Sequence, residues 1–200
     1  RAYFYALQRY KKILSQRNAL LKDENRALVL DTLPIWDESL TTAGAKVISE
    51  RNAFIARLSP LCEQAYSAIS GGKEHIEVEG EQKFFGSEAE IKEQFTSALA
   101  SRAERDIDLG YTSVGPHRDD LKIKVDGTEV KTYGSQGQQR TAALALKLAE
   151  TEIFKEKFGE YPVLILDDAM SELDRSRRLR LIDMVKKFQT IITCTEPDCI

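Results

Sequence analysis

Two stretches of this chain hold side chains whose types and spacing could do chemistry. Asp167 and Asp168 follow Val163-Leu164-Ile165-Leu166, an apolar run too short for a helix and rich in β-formers, so it reads as a buried strand ending in paired carboxylates. Such a pair, at the carboxyl end of a strand, sits where open α/β sheets place ligands, and it is costly to desolvate unless a cation or a proton compensates it. Upstream, Ser135-Gln136-Gly137-Gln138-Gln139-Arg140 runs into a strongly helix-favouring segment, Thr141 to Ala149. Small residues and amides therefore lie at a helix N-terminus, where unpaired backbone N–H groups and the positive dipole end suit a phosphate. Taken alone, each stretch has a plainer reading: an acidic surface turn for the first, an ordinary N-cap on Ser135 for the second.

The elements that must position these residues alternate. A helix from Gln138 to about Phe158, the strand Val163 to Leu166, a helix from Asp174 to about Phe188 and a strand Thr190 to Cys194 follow the order of a parallel sheet with crossovers. Ahead of them, Leu121 to Val125 and Thr128 to Val130 flank Asp126-Gly127, a hairpin signal. His75 to Glu79 alternates as an edge strand, and Ser87-Glu88-Ala89-Glu90 is a capping box for a helix with Ile91, Phe95 and Leu99 on its apolar face.

The first part of the chain is helical in pattern. Tyr3, Leu7, Tyr10, Leu14 and Leu21 form one amphipathic stripe, beside Arg1, Arg9, Lys11, Lys12, Arg17 and Lys22 with no acid among them. That basic face could follow a phosphate backbone or simply be solvated. After Leu33-Pro34, heptad-like spacing through Leu40, Val47, Phe54, Leu58, Leu61 and Ala65 predicts two long helices packed antiparallel, with Trp36 at their junction. Pro60 predicts a kink or a break with Ser59 as cap, and Ser70-Gly71-Gly72 a stop. The expected division is a mostly helical lobe over 1–110 and an α/β part over 111–200.

Two hundred residues, 42% of them hydrophobic, suffice for a packed core, and a formal net charge of −3 gives no overall basic signal. Any nucleic-acid binding must then come from a local patch. Cys62, Cys194 and Cys199 support neither a disulfide framework nor a zinc site, which fits a reducing, cytoplasmic setting. No apolar stretch approaches the roughly 20 residues of a membrane span, so no membrane role is expected.

Together the motifs resemble the nucleotide-binding lobe of ABC-type ATPases: Ser135-Gln136-Gly137-Gln138 as signature, Leu164 to Asp168 as Walker B, and Ser171-Glu172-Leu173-Asp174 as D-loop. Within that superfamily, Val114-Gly115-Pro116-His117-Arg118-Asp119-Asp120, Tyr133 to Thr141 and Leu166 to Asp174 resemble the RecF family of DNA replication and repair proteins. The fold class this implies is α/β, the C-terminal part of an ABC-type P-loop ATPase lobe with a mostly helical inserted lobe. The resemblance further implies ATP and Mg²⁺ as cofactors, with Asp167 on the metal and Asp168, where most ABC-type ATPases have Glu, polarising the attacking water. Ser135, Gln136, Gly137 and Gln138 would meet ATP held by the opposite subunit of an ATP-dependent homodimer, and Ser171 and Asp174 would serve the D-loop. The implied partners are double-stranded and gapped junction DNA and the mediators RecO and RecR, in recombinational repair, replication restart and the SOS response. Arg9, Lys11, Lys12, Arg17 and Arg118 are the candidate DNA contacts.

No G-x-x-x-x-G-K-[ST] phosphate cradle occurs in these residues, so the chain is expected to be the central and C-terminal portion of a longer protein, inactive alone, whose intact form is a slow DNA-dependent ATPase. Thr193-Cys194-Thr195 stands where many ABC-type ATPases carry a switch histidine. Rival readings are a DNA-end or chromosome-structuring ATPase of the SMC type and a non-catalytic DNA-binding or interaction module.

Overall fold

A computed structural model describes residues 2–194. Arg1, Thr195 and Cys199, named above, lie outside the described residues. The chain divides into two compact units, each drawn from two stretches of sequence: Arg1–Phe54 with Gly80–Asp120, and Ile55–Glu79 with Leu121–Ile200. This differs from the single boundary expected near residue 110, because one helix runs without interruption through both the Phe54–Ile55 boundary and Pro60.

In the first unit, α1 (Ala2–Leu20) lies antiparallel to the start of α2 (Arg26–Ser70). Arg17 Nε bonds Asp37 Oδ1 at one end of the pair, and Arg51 Nε donates to the Tyr3 hydroxyl at the other. The helix α2 begins eight residues before Pro34, with Asn25 Oδ1 accepting from the Leu28 N–H at 3.2 Å. Leu21, Val29 and Leu33 close the junction, while Trp36 packs against the neighbouring cluster of Tyr10, Ile13, Leu40 and Val47. Ser87 and Glu90 form the expected capping box at α3 (Glu88–Ala100), whose Ile91, Phe95 and Leu99 enter that cluster. A short α4 (Ala103–Leu109) follows.

Of the kink or break expected at Pro60, the break does not form, and Ser59 is not a cap. A proline inside a helix costs about 3 kcal/mol. Against this, Leu58, Cys62, Ala65, Tyr66 and Ile69 are all buried in the second unit's core. Large apolar side chains contribute roughly 1.5–3 kcal/mol each on burial, so packing outweighs the missing hydrogen bond.

The second unit carries both sheets. A three-stranded sheet has the order β1 (Ile76–Gly80), β2 (Leu121–Val125), β3 (Thr128–Glu129), which leaves β1 at the edge as expected. Asp126 and Gly127 both take positive φ, 49° and 77°, the left-handed pair that a two-residue type I′ hairpin requires. After a one-turn α5 (Val130–Tyr133) comes the long α6 (Gln136–Phe158), closed at its C-terminus by Gly159 at φ 84°. Strands β4 (Leu164–Leu166) and β5 (Thr190–Ile192) pair in parallel around the crossover helix α7 (Arg175–Val185). The expectation that β4 is buried throughout is corrected: Leu164 and Leu166 are buried, whereas Ile165 is 66% exposed and Ile191 of β5 is 54% exposed. Only one face of this strand pair is covered among the described residues.

Candidate functional site

Ser135 is the N-cap of α6. Its Oγ accepts from the Gln138 N–H at 3.2 Å, and Gln138 Oε1 accepts from the Ser135 N–H at 3.0 Å. The capping box thus uses two of the polar groups that the sequence offers to a ligand. Gln138 Nε2 donates to Glu74 Oε1 at 2.9 Å, so both ends of this amide are engaged within the chain. Ser135 and Gln136 are exposed. A Cβ on Gly137 would meet nothing nearer than Glu172 O at 3.8 Å, an ordinary contact. The chain's own packing therefore does not require glycine there, although glycine in a helix costs about 1 kcal/mol relative to alanine.

Asp167 and Asp168 leave the end of β4 in different environments. Thr193 Oγ1, just beyond β5, donates to Asp167 Oδ1 at 2.5 Å and accepts the Asp168 N–H at 3.0 Å. Asp168 takes φ 45°, a left-handed conformation that aspartate tolerates better than most residues. Its main-chain oxygen accepts from Arg140 Nη2 at 2.9 Å and from Ser171 Oγ at 3.2 Å. Its Oδ1 is buried without a hydrogen-bond partner. A buried carboxylate oxygen without a partner, on a residue at positive φ, costs stability.

The D-loop is anchored by what it buries: Ala169, Met170 and Leu173 all enter the core. Asp174 is the N-cap of α7, accepting from the Arg177 N–H at 3.0 Å, and this hydrogen bond holds its carboxyl below the usual range. Arg177 reaches back to α6, donating to Gly137 O at 3.2 Å and Thr141 Oγ1 at 2.8 Å, and it pairs with Glu74. Signature, Walker B and D-loop segments are thus brought together in one unit. Sequence reasoning missed Glu74 and Arg177, gave Arg140 no more than a structural role, and noted Thr193 only as part of the segment that replaces a switch histidine.

The chain is 47% identical over 195 residues to the DNA replication and repair protein RecF of Lachnoclostridium phytofermentans, covering 96% of this chain and 52% of the relative. It is 44% identical over 202 residues to RecF of Ruminiclostridium cellulolyticum, covering 98% and 54%. A solved structure described as the recombination mediator protein RecF-ATP in the RecFOR pathway superposes with a TM-score of 0.81 at 38% identity, over 98% of this chain and 54% of that one. A second, described as RecF-ATPrS, gives 0.83 at 39% identity, over the same shares. No protein-family profile matches. Over the length it spans, this chain belongs to the RecF family. It spans about half the length of the curated relatives it matches. The expected fold class holds, an α/β ABC-type ATPase lobe portion with a mostly helical inserted lobe.

For a RecF-family chain the donor set at the Walker B end is informative. Asp167, Asp168 and Thr193 offer oxygen only, and no cluster of three or more metal-ligating acids, histidines or cysteines occurs among the described residues. One or two carboxylates completed by phosphate and water is the set that a small hard cation such as Mg²⁺ takes.

The candidate DNA contacts separate. Arg9, Lys11 and Lys12 are exposed on α1. Arg118 is exposed, lies 4.9 Å over the Tyr111 ring and donates to Thr112 O at 3.3 Å. Arg17 is a correction: it is fully buried, with Nη1 on Asp106 Oδ2 at 2.9 Å and on Thr112 Oγ1 at 2.8 Å. Its helical position places it on the side of α1 that faces α2, where a cation must be paired. His117, next to Arg118, bonds the Tyr10 hydroxyl and Thr112 O, so its ring is structural. No helix is long and apolar enough to cross a membrane among the described residues.

Proposed function

We propose that this chain supplies one edge of a composite ATP site, with Ser135, Gln136 and Gly137 facing the γ-phosphate of ATP held by a second subunit. Asp167 and Asp168 then serve the ATP of the chain's own subunit, Asp167 beside Mg²⁺ and Asp168 orienting the attacking water. Gln138 acts indirectly, because its side chain is engaged by Ser135 and Glu74. Ser171 and Asp174 shape the D-loop turn beside them. In the intact protein, ATP-driven dimerisation on DNA serves replication and recombinational repair at gapped or junction DNA, with RecO and RecR as partners, in the cytoplasm and within the SOS response. Arg9, Lys11, Lys12 and Arg118 are the proposed phosphate contacts.

The observation that carries this reading is the outward-facing, Ser135-capped N-terminus of α6. It holds a glycine that its own fold does not need and is tied through Arg140 to the strained Asp168. The test is Ser135→Arg in the full-length protein. ATP binding by single subunits is expected to stay unchanged while ATP-dependent dimerisation, followed by sedimentation, is lost. Equal loss of both would contradict the geometry in trans.

A further inference from the structure

We propose that Glu74 and Arg177 are a positioning pair for the signature segment, fixing the first turn of α6 so that Ser135 and the N–H groups after it face an incoming anion. This rests on the composite-site reading above. Neither residue belongs to the motifs: Glu74 follows the end of α2, and Arg177 lies three residues past the D-loop aspartate.

The hydrogen bonds form one continuous path. Arg177 Nη1 holds Gly137 O and Thr141 Oγ1, its Nη2 pairs with Glu74 Oε2, and its Nε lies 3.3 Å from Asp174 Oδ2. Glu74 Oε1 accepts from Gln138 Nε2, whose amide oxygen in turn holds the Ser135 N–H. Arginine suits the position because its planar fork reaches several acceptors at once, which a lysine ammonium on a flexible stem does not.

Charge gives the pair a second task. The Glu74 side chain is 18% exposed and the Arg177 side chain 17%, so neither is fully screened by water. A carboxylate beside the turn assigned to a phosphate would repel it, and Arg177 neutralises that charge where it stands. Losing a partly buried charged partner corresponds to roughly a tenfold or larger change in an equilibrium.

The experiment uses the full-length protein, at a temperature where circular dichroism shows every variant folded. Arg177→Met is expected to raise the ATP concentration for half-maximal dimerisation about tenfold while leaving ATP binding by single subunits within about twofold. Adding Glu74→Gln should recover most of that loss, since the new amide oxygen still accepts from Gln138 and no bare charge remains. The proposal is overturned if Arg177→Met dimerises like the parent, if it weakens single-subunit binding to the same extent, or if the double variant is no better than the single one. If the parent itself shows no ATP-dependent dimer, or Ser135→Arg leaves it intact, the underlying reading has failed instead.

Discussion

The guanidinium of Arg140, in the second turn of α6, donates to the main-chain oxygen of Asp168 across 2.9 Å, so the signature helix grips the backbone of the acid that ends β4. Together with Ser171 on the same oxygen and Thr193 on the N–H, it holds Asp168 at φ 45°. The left-handed conformation costs roughly 1–2 kcal/mol for a residue with a side chain, and the buried, unpartnered Oδ1 adds to it. Asp168→Gly is therefore expected to raise stability by up to about 1 kcal/mol after the entropy cost of glycine, read as an increased thermal midpoint. A lower midpoint would show that Asp168 is not strained.

The buried Arg17 network predicts a large effect far from the signature. Arg17→Met leaves Asp106, fully buried, without its cation, and breaking a buried ion pair on one side costs about 3–5 kcal/mol. Urea unfolding of the variant should show that loss, together with a DNA affinity that is unchanged under conditions where the variant is folded. A stable variant with weakened DNA binding would return Arg17 to the set of phosphate contacts.

These two arginines show where the sequence was legible. Arg140 and Arg17 are both basic residues on helices, and periodicity places their backbones correctly. It does not tell which carbonyl or carboxylate each guanidinium finds, since those partners arrive from segments up to 89 residues away. The capping box at Ser87, the N-cap at Ser135 and the Asp126-Gly127 hairpin were readable because each is decided within a few residues, and the parallel strand pair because strand, helix and strand follow one another in the order of a crossover. Pro60 and Pro34 misled for the opposite reason: local propensity favours a break, and core packing contributed by distant residues overrides it. Glu74 and Arg177 follow the same rule, for their importance lies in three elements meeting.

Acid should expose the structural histidine. Burial lowers the His117 pKa below its usual 6.5, and Tyr10, Arg118, Asp106 and Arg17 surround it. Between about 6.5 and the lowered value, the unfolded chain binds a proton that the folded chain does not, so the contribution of His117 is full above 6.5 and declines as pH falls. His75, raised by its bond to Glu63, acts with the opposite sign near the same pH, and Asp37 and Asp119, raised by burial, do so at lower pH. The difference between parent and His117→Gln isolates the term. That difference in unfolding free energy should shrink as pH falls from 7 toward 5; a flat difference would mean that His117 is not held neutral.

The last prediction separates the two acids. Thr193 engages one oxygen of Asp167, while Asp168 keeps an oxygen with no partner, so the neighbours are not equivalent even before any ligand arrives. On the composite-site reading, Asp168→Asn keeps the shape of the turn, since asparagine also tolerates the left-handed conformation, and removes the charge that orients the attacking water. ATP should bind and persist, and the dimer on DNA should become long-lived, with turnover reduced on the order of a hundredfold or more. Asp167→Asn should instead weaken Mg²⁺-dependent assembly along with turnover, because it alters the acid assigned to the cation. Dimer lifetime and hydrolysis, measured on both variants of the full-length protein, decide between these roles. Parental hydrolysis by Asp168→Asn, or equal loss of the dimer in both variants, would show that the acids do not divide the work in this way.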